Sequence, residues 1–226
     1  MIALLASVLL STNATPRELV MSCRSMIPAD VELRGRIVLR NRKGIPQAEH
    51  DYVLTRSNSV TRLAVDGKEI SNPSTSQTPQ TSQTSQTSQT SQTSQTSQTS
   101  QTPQTPQTSQ TSQTSLLGTD VTWSDITLDY LWWDDFSFDA EREGETVHGQ
   151  VCAVVVMKKG TRMVRVWVDR KTGALMQAEE VADGKAVRRL WGTRIRKFGE
   201  RWMANVLEVE TIGSGHRTKI TVEELK

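Results

Sequence analysis

The tightest constraint on the fold lies between Val147 and Val222, where segments of alternating side-chain character follow one another with only two- to five-residue breaks. His148 to Met157 is rich in β-branched residues on both faces. Thr161 to Asp169 sets Met163, Arg165 and Trp167 against Val164, Val166 and Val168. Asp169 to Gly173 and Asp183-Gly184 are turn signals on either side of a strand from Ala174 to Ala182. Lys185 to Lys197 alternates again, with Gly192 expected to bend it, and Arg201 to Ile212 and His216 to Val222 complete the series. A period of two is the strand signature. Connections this short join only antiparallel neighbours.

The first part of the chain adds strands and one helix. Thr15-Pro16-Arg17-Glu18 is a helix start, with a capping hydroxyl, a proline at the first helical position and an acid three residues after the cap. Leu19, Val20, Cys23, Met26 and Ile27 then fall at helical spacing until Pro28. Val31, Leu33, Gly35, Ile37 and Leu39 alternate with Glu32, Arg34, Arg36 and Arg40, so this strand has one basic, wet face. Asn41-Arg42-Lys43-Gly44 reads as a hairpin turn, followed by strands from Ala48 to Arg56 and from Val60 to Val65. Thr122-Trp123-Ser124-Asp125 repeats the capping pattern and predicts a second helix over 122–132. Asp134, Asp135, Asp139, Glu141 and Glu143 then read as a solvated acidic loop that lacks calcium-loop spacing. In all this gives about eight strands and two short helices. A long curved sheet with so few helices must close or wrap around them to cover its apolar face.

Between the two halves lies Ser76 to Thr114, thirteen triplets of which ten are Ser-Gln-Thr and three Pro-Gln-Thr. Collagen needs glycine at every third position, and this tract has none. A triplet alternates faces along a strand, so no apolar face forms, and nothing offsets the ordering entropy. The expectation is a disordered insert. The tract dilutes the overall hydrophobic content to 35%, and the rest of the chain has ordinary globular composition. The expected organisation is a signal segment over 1–14, N-terminal helix and strands over 15–72, the insert over 73–115, and the remaining strands of the same domain over 116–226.

Several function classes are excluded early. A net charge of +2 gives no pull toward nucleic acid. No apolar run approaches membrane-spanning length. Ile2 to Leu10 followed by Ala14 does resemble the hydrophobic part and cleavage position of a secretory signal, though without a basic leader. His50, His148 and His216 fall in three separate expected strands, with no carboxylate or cysteine at metal spacing. No nucleophile-elbow, phosphate-loop or zincin motif occurs, so no catalytic residue, metal or cofactor is expected. Arg188, Arg189, Arg194, Arg196, Lys197 and Arg201 read as a solvated basic face, with an anionic headgroup or acidic partner as the sharper alternative. Cys23 and Cys152 both sit among apolar residues. In an exported chain a helix packed on the sheet would let them pair, closing a loop of about 130 residues and adding roughly 4–5 kcal/mol. The alternative is two buried free thiols.

The segment Leu117-Gly-Thr-Asp-Val-Thr-Trp-Ser-Asp-Ile-Thr-Leu resembles a motif of the outer-membrane lipoprotein-sorting family, within the LolA/LolB-like superfamily. Val164-Arg-Val-Trp-Val-Asp-Arg, Lys185 to Trp191, Arg201-Trp-Met-Ala-Asn and Gly215-His-Arg-Thr-Lys-Ile are similar to its later strands, and Leu33-Arg-Gly-Arg-Ile to its opening. The resemblance implies a mainly β, α+β fold: a curved antiparallel sheet forming an incomplete β-barrel, with two short helices over the concave face. It implies a periplasmic location in a Gram-negative envelope, where a disulfide forms, and an apolar cavity for acyl chains beneath a helical lid. The family has further strand material where the repeat stands here. No residue carries over as a fixed ligand contact, and Leu33, Ile37, Leu39, Tyr130, Trp133, Trp167 and Trp191 are the inward-facing candidates. The expected function is a periplasmic carrier or binder of lipoprotein or lipid acyl chains. The alternative is a sensing or interaction module on the same fold that binds an envelope protein partner.

Overall fold

The computed structural model describes residues 14–57, 60–72, 115–199 and 201–226. The expected signal segment, Ala14 apart, and the triplet tract lie outside the described residues.

Helix α1 spans Pro16–Ser25 and starts where the sequence predicts. The Thr15 hydroxyl accepts from the Glu18 amide, and the Glu18 carboxylate accepts from the Thr15 amide at 2.7 Å. This reciprocal pairing satisfies two of the helix's free donors. Leu19, Val20 and Cys23 form its buried face.

Among the described residues twelve strands follow in chain order: β1 (Val31–Asn41), β2 (Pro46–Ser57), β3 (Val60–Val65), β4 (Lys68–Ile70), β5 (Asp135–Phe138), β6 (Thr146–Val147), β7 (Gln150–Lys159), β8 (Arg162–Asp169), β9 (Leu175–Ala182), β10 (Lys185–Phe198), β11 (Arg201–Thr211) and β12 (His216–Leu225). They make one curved antiparallel sheet in the order β4-β3-β2-β1-β12-β11-β10-β9-β8-β7-β5, with β6 pairing to β7 alone. The ends of this order, β4 and β5, do not meet, so the barrel stays open. The additional strands are short ones that single-strand periodicity misses. The expected acidic loop holds β5, and Asp139 in it accepts from Arg165 at 2.9 Å.

The expected second helix breaks. Helix α2 covers only Trp123–Thr127, and a single 3-10 turn, Asp129–Trp132, follows. Leu128 between them has φ of 54°, in the left-handed region, and its amide donates back to the Ser124 carbonyl at 2.8 Å. The kink keeps Leu128, Tyr130, Leu131 and Trp133 all pointing to the sheet, which one straight helix could not do.

One large core lies between the concave face and these helical pieces. Leu33, Ile37, Leu54, Leu63, Val155, Met157, Val164, Val166, Leu190, Leu207 and Ile220 from the sheet meet Leu19, Val20, Trp123, Ile126, Leu128 and Leu131. A separate cluster on the opposite face joins Val147, Cys152, Val154 and Trp167, with Met176 against it. The Trp167 indole donates to Glu145 at 2.8 Å.

Candidate functional site

The site is the concave face itself, roofed by α1 and by residues 116–133. Cross-strand register lays Val166, Ala178, Leu190, Val209, Thr218 and Leu39 in a row across six strands. Leu33 and Ile37 lie on the same side of β1 and are almost fully buried, whereas Leu39 at the strand's far end is half-buried. Beneath the roof the face is nearly filled. One apolar void of about 20 Å³ remains, lined among others by Leu33, Tyr52, Leu54, Ile126, Leu207 and Ile220.

The roof is held by polar anchors along one border of this face. Asp120 accepts from the Thr218 hydroxyl at 3.2 Å and from the Thr211 amide at 3.3 Å. Arg188, reaching in from β10, donates to Asp125 and to the Asp120 carbonyl, both at 2.5 Å, and to the Thr122 hydroxyl at 3.1 Å. Asp125 is also the acid of α2's own capping box, so Arg188 clamps the start of that helix. Arg162 on β8 donates to Ser124 at 3.2 Å and to Asp129 at 3.4 Å, and its guanidinium stacks over Trp133 at 4.9 Å. Both arginines also approach Glu180 on β9, at 3.9 and 3.8 Å. A second void of about 20 Å³ lies among Ser124, Asp125, Tyr130, Arg162, Glu180 and Arg188. The Tyr130 hydroxyl and the Trp133 indole nitrogen are buried without hydrogen-bond partners among the described residues. Burial, and after it the nearby Asp125 and Asp129, hold the Tyr130 phenol well above its ordinary pKa, so it remains a proton donor. Helix α1 joins the roof through Arg24, which donates to the Leu131 carbonyl at 2.5 Å.

The candidates from sequence divide by face. Leu33, Ile37, Tyr130 and Trp133 line the roofed side, with Leu39 at its margin. Trp167 and Trp191 do not: they flank Gln177 in one row on the opposite side. Trp167 belongs to the outer cluster, and Arg217 stacks on Trp191 at 4.8 Å. The alternation of β8 already puts Trp167 opposite Val166 and Val168. The inward assignment of Trp167 is therefore corrected by the register of its own strand.

The cysteines are likewise on opposite faces and both are free. Cys23 lies in the concave core, donating to the Gly173 carbonyl at 3.2 Å, and Cys152 lies in the outer cluster. The pairing expectation is therefore corrected: the sheet stands between the two thiols. Burial pushes Cys23 up to about 12 and Cys152 to about 11. The basic face is corrected in part. Arg188 points inward and Arg189 outward, where it meets Glu179 at 2.7 Å. Adjacent residues of a strand face opposite ways, so the two could not share a wet face. β10 is irregular at Arg194, with φ of 53°, and between Ala186 and Arg188, where its register against β9 shifts, rather than at Gly192. His148 occupies the left-handed turn before β7 rather than a strand, and His50 pairs with Asp66 at 2.7 Å. Among the described residues no group of three metal-ligating side chains gathers, and no described helix is long and apolar enough to cross a membrane.

Comparison with known proteins bears on the whole chain. A family model described as "-like: Uncharacterized protein" matches residues 76–226. No curated protein matches. Among solved structures, the chain is similar to a LolA superfamily protein from Nitrosomonas europaea, at 11% identity and a TM-score of 0.64, covering 94% of this chain and 93% of that one. It is similar to a domain from Vibrio parahaemolyticus named for outer membrane lipoprotein sorting, at 12% identity and a TM-score of 0.59, covering 94% and 91%. It is also similar to a DUF1329 family protein from Desulfovibrio piger, at 14% identity and a TM-score of 0.57, covering 93% and 91%.

Proposed function

Because the chain belongs to the family whose model spans residues 76–226 and carries the LolA-like fold, we propose that it is a carrier or binder of lipoprotein or lipid acyl chains. The observation that carries this reading is the separability of the roof. Residues 116–133 cover a continuous apolar face yet contribute no strand to the sheet. Their polar anchors cluster at Asp120, Thr122, Ser124, Asp125 and Asp129.

In the closed state the roof's own Trp123, Ile126, Leu128 and Leu131 occupy the place an acyl chain would take. Releasing Arg188 from Asp125 and Arg162 from Asp129 frees the roof to swing away. The chain then replaces those side chains against Leu33, Leu54, Leu207 and Ile220. Each methylene buried contributes about 0.8 kcal/mol. The work is binding and transfer, without covalent chemistry. Its setting is the periplasm of a Gram-negative envelope, reached by export, with the triplet tract as a polar spacer.

The test is native mass spectrometry of the purified chain after incubation with phospholipid and with a synthetic acylated peptide, followed by solvent extraction. Bound lipid or acylated peptide near one per chain supports the carrier. A mass that stays ligand-free in both incubations overturns it and directs the search to a protein partner.

A further inference from the structure

We propose that a cleft on the outer face of the sheet, where β1, β12 and β11 meet the turns 42–45 and 212–215, binds a phosphate group through Arg40, Arg42 and Lys219. The site lies on the side turned away from the roof, and the inference does not rest on the acyl-chain reading.

The cleft holds about 510 Å³ between the two turns, a volume in the range of small-molecule sites. Strand alternation decides what faces it. Thr218 and Val209 are fully buried in the row beneath the roof, so their neighbours Arg217, Lys219, Glu208 and Glu210 face outward. Arg40, next to Leu39, does the same on β1. Arg42 reaches from the first turn to the second, where a Cβ on Gly215 would sit 3.8 Å from its Nε.

Four lysine and arginine side chains thus line the cleft against two carboxylates, and both carboxylates are engaged. Arg217 holds Glu208 at 3.0 Å and Glu210 at 3.1 Å, and Glu210 also meets Arg189 at 3.7 Å. Arg40, Arg42 and Lys219 make no side-chain hydrogen bond or ion pair among the described residues, and the Arg40 Nε is buried without a partner. Arg40 nonetheless stands directly opposite Arg217 in the ladder of β1 with β12. Like charges in that position repel. Burial, and after it Arg40 and Arg194, hold the Lys219 ammonium below its ordinary pKa. Glu208, opposite Lys219 on β11, pulls the other way, and Arg36, itself paired with Glu49 and Glu223, adds to the depression. His216 on the rim contributes charge only when protonated. An anion seated among the three unpaired cations relieves these repulsions together. A carboxylate brings one charge and two oxygens. A phosphate brings an oxygen for each of the three cations, and its edge matches the guanidinium fork.

The experiment follows the amide signals of Gly44, Gly213 and Gly215 in the intact chain by NMR as inorganic phosphate is added at fixed ionic strength, with acetate as the comparison. A second arm measures co-sedimentation with phosphatidylcholine vesicles that contain one third phosphatidylglycerol. Phosphate is expected to give saturating shifts at these glycines and acetate to give none that saturate. Arg40→Gln and Lys219→Gln are each expected to weaken binding about three-fold. Lys159→Gln, which removes an exposed charge outside the cleft, is expected to leave it unchanged. Arg42→Gln, on an exposed turn, reads the same site if either of the strand variants fails to fold. Vesicle retention that falls in the cleft variants and holds in Lys159→Gln identifies a lipid head as the source of the phosphate. Saturation by inorganic phosphate without vesicle retention identifies a soluble one. The inference is overturned if neither arm shows binding, if acetate matches phosphate, or if binding in both arms is indifferent to the cleft variants.

Discussion

Gly35 is the residue with least freedom to change. β1 shifts register against β12 between Arg34 and Gly35, and a Cβ on Gly35 would sit 1.8 Å from the Thr221 carbonyl oxygen. The Thr221 backbone cannot yield as a side-chain tip does, and the Tyr52 ring stands 3.2 Å away as a further neighbour. Gly35→Ala is expected to destabilise by about 3 kcal/mol, read as a lower urea midpoint. Thr15 makes a smaller and pH-dependent contribution. Hydrogen bonds from Thr15 lower the Glu18 pKa below its ordinary 4.5. A depressed carboxylate pKa gives stability that is full above pH 4.5 and is lost as pH falls through the lower folded value. Thr15→Ala should cost about 1 kcal/mol, and in a carbon-detected titration should raise the Glu18 midpoint only in part, because the Thr15 amide, the larger cause of the depression, still donates to the carboxylate.

Among the elements, the roof is where sequence and structure part most. The capping signals at Thr15 and Thr122 locate both helix starts, since a hydroxyl followed by an acid three residues on is a local code. The end of the second helix has no such code. Leu128 adopts a left-handed conformation without glycine, and what holds it there is tertiary: Ser124 hydrogen-bonds Asp129 across the kink while four apolar side chains seek the sheet. The clamp was partly legible. Arg188 shares a strand face with Leu190, so placing Leu190 inward places Arg188 inward too, and only its Asp125 partner needs the fold. Side chains of Arg188 and Asp125 are 14% and 11% exposed, so solvent screens their pairing little. Arg188→Gln is expected to cost about 3 kcal/mol by leaving Asp125 without its cation. A double-mutant cycle with Asp125→Asn should give a coupling on the order of 2 kcal/mol. Additive effects in chemical denaturation would show that Arg188 does not hold the roof through Asp125.

On the scale of the whole molecule, the two cysteines become reporters for the two faces. Both thiols are raised by burial, to about 12 and about 11, so neither is expected to alkylate readily at pH 8 while the fold is closed. Lifting the roof loosens α1 through Arg24 and uncovers Cys23, while Cys152 stays behind the sheet. Adding an acyl ligand should therefore change the alkylation rate of Cys23 and leave that of Cys152 fixed, as peptide mass mapping will tell. Equal changes at both sites would mean general unfolding in place of roof movement. The open sheet was legible from its meander, and its two edges are short and carry charge. β4 is three residues long and carries Lys68 and Glu69, and β5 is four long and begins with Asp135.

The seam between β1 and β12 sets a clock on the molecule. β1 to β4 form a meander among themselves, and β7 to β12 form another, each from near neighbours in sequence. In the sheet the two join along the β1–β12 seam, from Leu33 opposite Leu225 to Asn41 opposite His216, with Glu32 and Lys226 exchanging backbone hydrogen bonds at its end. A growing chain therefore carries β1 with a bare edge until β12, the last strand in the sequence, has been made. Closure of so long a loop is slow beside hairpin formation. During that interval the basic residues Arg34, Arg36 and Arg40 stand along the waiting strand, and like charges there discourage a second chain from taking the place kept for β12.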